Sequence, residues 1–148
     1  MRRPGLGTRI GLLILNGFVA ISAIAGAIWV VPTMPMEWIK SGPFTDWTIP
    51  AIALGAVGVL AAVAFVAVLA RPWLGALLSV LAGAAMVIFE LVEIGVVGWT
   101  LSDPTLSGFQ KSLQLVYLIV GSGQALLGWR MWLMTRQAAP PLPVLNPA

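Results

Sequence analysis

Four long apolar runs leave this chain few ways to fold. They cover about residues 10–31, 49–70, 74–99 and 109–133. A helix of about 20 residues crosses the roughly 30 Å hydrocarbon core of a bilayer, and each run reaches that length. In hydrocarbon each backbone polar group needs a partner within the protein, which a helix supplies from its own segment. Of 148 residues, 59% are hydrophobic and only 9% are charged. Soluble domains carry about 25% charged residues, so this composition belongs to the membrane class. The expected fold is all-α: a four-transmembrane-helix bundle over 10–136, between a basic tail (1–9) and a Pro-rich tail (137–148).

The first run competes with a signal peptide, whose apolar region spans only about 7–15 residues before a small-residue cleavage site. This run is longer and ends in Trp29-Val30-Val31-Pro32, so a retained helix is expected. Charge then orients the bundle. Arg2, Arg3, Arg9, Arg71, Arg130 and Arg136 fall on one side of the layout, Lys40 and Lys111 on the other. By the positive-inside rule the arginine side is cytoplasmic, giving N-in/C-in topology. The basic residues form no continuous patch interleaved with aromatics, so nucleic acid is not an expected partner. The lipid bilayer is.

The connections are short or anchored. Pro32 to Thr48 holds Pro32, Pro35, Pro43 and Gly42, which break a continuous helix, and Trp38, Phe44 and Trp47, which suit an interface. Thr45, Asp46 and Thr48 are candidate caps for the second helix, with Pro50 tolerated in its first turn. Arg71-Pro72-Trp73 is so brief that spans two and three must be antiparallel neighbours. Asp103-Pro104 marks a turn in the last loop. Trp29, Trp38, Trp47 and Trp99 then gather at the outer boundary and Trp73, Trp129 and Trp132 at the inner one, as two aromatic belts.

Small residues recur at helical spacing. Asn16, Ala20, Ala23 and Ala27 share a stripe on span one, as do Ala51, Gly55, Gly58 and Ala62 on span two. Such stripes let helices approach closely, here within the bundle or in a homo-oligomer. Asn16 is expected to make a packing hydrogen bond.

The chemistry is narrow. With no cysteine and no histidine, thiol chemistry, Cys- or His-ligated metals and the commonest general base are excluded. There is no phosphate loop, metal-ligand spacing or nucleophile–base pair. No catalytic residue, metal or cofactor is therefore expected, and the chain is not read as an enzyme. An enzymatic reading would have to rest on Glu90, Glu93 and Tyr117 acting on a lipid-soluble substrate.

The exception to apolarity is Phe89-Glu90-Leu91-Val92-Glu93 in the third run. Residues three apart share a helix face. With Trp99 as the boundary, Glu93 lies about 9 Å deep and Glu90 about 13 Å deep. An ionised carboxylate there costs at least about 2.5–3.5 kcal/mol on insertion scales. Neither acid should face lipid, and the two are not expected to be ionised together.

Span four offers a complement. Gln110, Gln114, Tyr117, Gly121, Gln124 and Gly128 form one stripe at steps of three and four. Measured from Gly108, Gln114 and Tyr117 match the depths of Glu93 and Glu90, about 9 and 13 Å. Glu93 is expected to meet Gln114, and Glu90 to meet Tyr117, across the span three–span four seam. Lys111 sits above, placed to pair with Glu93 or to snorkel. The binding-site candidates are thus Glu90, Glu93, Gln114, Tyr117 and Lys111. Intramembrane acids bind protons, cations or cationic substrates in pumps and transporters. Alternatively the pair is structural, in an accessory or assembly subunit of a larger membrane complex. Interhelical hydrogen bonds in membranes contribute only about 0.6–2 kcal/mol, a modest return for two inserted acids, which favours the ligand reading.

The segments Met36-Glu-Trp-Ile-Lys-Ser-Gly-Pro-Phe-Thr-Asp-Trp-Thr-Ile-Pro50 and Leu113-Gln-Leu-Val-Tyr117 resemble those of uncharacterised small four-helix bacterial integral membrane proteins. The resemblance spans roughly 16–129, with Trp47 where a Tyr would be expected. It implies a shared architecture and a bacterial inner-membrane location. It implies no activity.

Overall fold

In a computed structural model the chain is all-helical, with α1 (Leu6–Thr33), α2 (Thr48–Ala70), α3 (Pro72–Val97) and α4 (Gly108–Gln137). The structure describes residues 5–34, 44–97 and 108–137, and of 96–97 and 108–111 the backbone alone. The expectations for residues 1–4, most of the outer loop with Trp38 and Lys40, Trp99, the Asp103-Pro104 turn and the tail 138–148 lie outside the described residues. So do those for the side chains of Gln110 and Lys111. All four helices are long and apolar enough to cross a membrane.

The helices outrun the apolar stretches at several ends, because hydropathy marks where a side chain is at home, not where backbone hydrogen bonding stops. At the end of α1 the helix passes through Pro32, expected to open the loop, and closes at Met34, whose N–H reaches the Val30 carbonyl at 3.0 Å. Proline forfeits one helical hydrogen bond, a loss most easily borne in a last turn. There Thr33 also donates its hydroxyl to the Trp29 carbonyl at 2.6 Å. At the start of α2, Asp46 Oδ1 accepts the Thr48 N–H at 2.8 Å. A carboxylate beside a helix N-terminus is favoured by the helix dipole as well.

Each helix packs on the next in sequence, and α1 also packs on α4. Only Arg71 separates α2 from α3. It is extended (φ −140, ψ 90), returns its N–H to Ala67 O, and leaves Pro72 as the first residue of α3. This position suits proline, whose missing N–H would have no helical partner there. The hairpin is so tight that a Cβ on Gly75 would run into the Val68 backbone.

Small residues face inward. The core of one cluster is Val19, Ala20, Ala23, Leu54, Val57, Ala61, Ala82 and Met86, and a second cluster of Leu12, Val68, Ala76 and Met131 fills the arginine-bearing end. The two small-residue stripes interlock with each other: a Cβ on Gly58 would meet Ile24 and Ala23, and one on Gly55 would meet Ala27. These stripes are therefore used inside the bundle. Large aliphatics point outward instead, among them Ile14, Ile21, Ile28, Ile52, Val66, Ile88, Ile119 and Leu126. A helical bundle with small residues inside and large apolar ones outside is suited to lipid, where close backbone approach replaces the hydrophobic effect as the packing force.

The arginine-bearing end is tied by Arg9, which donates from Nη2 to the Leu69 carbonyl at 2.9 Å. Cations beside the last carbonyls of a helix complement its dipole. Arg136 lies 3.7 Å over the Trp132 ring, which packs on Trp129 at 4.9 Å between centroids.

Candidate functional site

The α3–α4 seam explains how two acids come to lie inside the bundle. Gly83 faces Gly121 and Ala125 so closely that a Cβ on it would come within 2.6 Å of the Ala125 backbone nitrogen. Gly128 stands against Ala76 and Val80 in the same way. With the helices in near contact over this length, the faces that meet are fixed. On α3 the buried face is Gly75, Ser79, Gly83, Met86 and Glu90; on α4 it is Gln114, Gly121, Gln124, Gly128 and Met131. The polar stripe expected on span four is thus its inward face.

Two polar levels result, about 16 Å apart along α3 at 1.5 Å per residue. The deeper one, nearer the arginines, joins three helices. Asn16 Nδ2 donates to Ser79 Oγ at 2.8 Å and to its own helix at Leu12 O at 2.7 Å, while Gln124 Nε2 donates to Asn16 Oδ1 at 2.6 Å. Ser79 passes its proton to Gly75 O at 2.7 Å. Asn16 therefore makes the packing bond expected of it. Its partners were not foreseen, because spacing within a helix says which residues share a face but not which face of another helix they meet. Met86 and the Gly83–Gly121 contact separate this level from the next.

The second level is a cavity of about 380 Å³ at the opposite end of the bundle from the arginines, with walls from all four helices. Glu90, Glu93, Gln114 and Tyr117 all line it. Four of the five expected site residues thus share one chamber; the side chain of the fifth, Lys111, lies outside the described residues. Glu90 is 2% exposed, and its Oε2 has no hydrogen-bond partner among the described residues. Glu90 and Tyr117, expected to meet across the seam, face the same cavity, and no hydrogen bond joins them. Tyr117 instead leans on Phe18 of α1, with ring centroids 6.2 Å apart. Glu90 and Tyr117 both line the cavity.

The remaining wall is apolar and aromatic, with Trp29 and Val30 from α1, Trp47 and Leu54 at α2, and Phe89 from α3. Trp47 corrects the belt reading. It is 3% exposed and turned into the cavity wall, whereas Trp29, Trp73 and Trp129 are exposed. The Asp46–Thr48 turn aims it inward, a detail that composition could not reveal. No lysine or arginine stands among the described lining residues. Chemically, the arrangement offers two carboxyl groups, an amide and a phenol in an otherwise apolar, aromatic chamber. No family model, curated protein or solved structure matches this chain.

Proposed function

We propose that this chain is a non-catalytic, multi-pass protein of a bacterial inner membrane, with both termini cytoplasmic, whose Glu90/Glu93 chamber binds a proton, a cation or a small cationic ligand for transport. The observation that carries the reading is the Glu90 carboxyl group, buried, without a partner at Oε2 among the described residues and facing a cavity it shares with Glu93. A carboxyl group placed only to join helices would have its oxygens bonded, since an unpaired buried polar group costs about 1–3 kcal/mol. An acid oxygen with no partner among the described residues, beside an open chamber, suits a visiting ligand. The apolar outer surface and the grouping of the arginines at one end support the membrane placement and the orientation.

The test is infrared difference spectroscopy of the purified protein in lipid vesicles. The carboxyl bands are followed as acid, sodium, calcium or an organic ammonium is added, in the native protein and in Glu90→Gln and Glu93→Gln. A band change on one of these additions that disappears in Glu90→Gln supports the reading. Carboxyl bands indifferent to every addition would overturn it. For a responding ligand, flux into vesicles then separates transport from binding alone.

A further inference from the structure

We propose that the ligand of this chamber is an amphiphilic organic cation, an ammonium group carrying an alkyl or aryl body, and not a bare inorganic ion. The inference rests on the preceding reading and narrows it to a ligand class.

Three features select that class. The first is size. About 380 Å³ lies within the roughly 300–1,000 Å³ range of small-molecule pockets and is far more than a dehydrated ion fills. The second is donor number. Calcium takes 6–8 oxygen ligands, and magnesium holds a near-ideal octahedron. Among the described residues no third acidic side chain joins Glu90 and Glu93. Filling an inorganic coordination shell from this wall would therefore need many waters in a chamber whose walls are mostly apolar.

The third feature is the character of the wall. Ammonium ligands are recognised by aromatic faces together with carboxylates, because ring quadrupoles attract a diffuse cation without needing to coordinate it. Trp29, Trp47, Phe89 and Tyr117 bring four aromatic side chains to a chamber holding two acids and no basic residue among its described lining. The cationic head belongs beside Glu90, whose Oε2 is buried and lacks a partner among the described residues. The apolar body belongs against Trp29, Trp47 and Leu54, where it removes hydrocarbon from water.

Calorimetric titration of the detergent-solubilised full-length protein tests this with three probes. They are benzyltrimethylammonium, its uncharged carbon isostere neopentylbenzene, and calcium chloride. The expected result is saturable binding of benzyltrimethylammonium, at least tenfold tighter than neopentylbenzene and weakened at least tenfold in Glu90→Gln. Trp47→Ala should weaken it severalfold. Trp29→Ala, at an exposed and less structural position, repeats that test should Trp47→Ala lose its monodisperse elution. Equal affinity for the charged and uncharged probes would overturn the proposal, as would binding indifferent to both tryptophans. Glu90-dependent binding of calcium without any of the ammonium would overturn it while leaving the preceding reading intact. Silence from both cations, joined to carboxyl bands that never respond, would remove both.

Discussion

Asn16 and Glu90 are both buried polar side chains, and their surroundings give them opposite roles. Asn16 makes three hydrogen bonds, to Leu12 O, Ser79 Oγ and Gln124 Nε2. Asn16→Ala breaks all three and strands the buried Gln124 Nε2, an orphaning that costs about 1–3 kcal/mol. Thermal unfolding in detergent should show that loss. Ser79→Ala should cost less, below about 1 kcal/mol, since it removes one interhelical bond of the average strength found in membranes. Glu90 behaves the other way. Its Oε2 has no partner among the described residues, so Glu90→Gln should leave unfolding within about 1 kcal/mol of the native protein, the scale of one net hydrogen bond. A large destabilisation in that variant would identify Glu90 as a structural pin and count against a ligand role.

Among the elements, the α3–α4 seam is the most exacting. Gly83→Ala would press a methyl group onto the Gly121 and Ala125 backbone, which neither helix can yield without parting. Overpacking of this kind typically costs about 1–3 kcal/mol. It would also widen the wedge in which Glu90 and Gln114 sit. Gly123, on α4 between Gly121 and Ala125, makes the contrast. A Cβ there meets only Leu15 Cδ1 at an ordinary 3.6 Å. Gly123→Ala should therefore stabilise by about 0.5–1 kcal/mol through helix propensity alone. The same unfolding assay reads both changes, and a loss at Gly123 equal to that at Gly83 would refute the close-contact seam. The stripe on span four was legible because polar and small residues at steps of three and four can only be one face. Its meeting with the Glu90 face of α3 was expected from the matching depths of the two stripes. The approach distance was not, since it depends on two glycines from different helices arriving at one level.

For the whole molecule, the outward face is the feature to test. The chain has no cysteine, so single cysteines can be introduced without background labelling. Ile21 is 76% exposed at the middle of α1. A spin label on Ile21→Cys in vesicles should be reached readily by oxygen and poorly by a water-soluble nickel chelate. The reverse preference would place that face in water and contradict a membrane-spanning bundle. Orientation needs its own measurement: an N-terminal tag accessible from outside intact cells would contradict N-in topology.

The sequence by itself determined the number of helices, their alternation and which face of each turns inward. These follow from run length, link length and helical periodicity, all local quantities. It also marked Glu90 and Glu93 as out of place, because the energy of an acid in hydrocarbon depends on depth and hardly on neighbours. Only the tertiary structure decided that these acids line a chamber shared with Tyr117 and Gln114, and that Trp47 turns inward to join its wall. It also decided that the small-residue stripes of α1 and α2 are used against each other. A cavity is a property of what four helices fail to fill together, and no periodicity within one helix records it.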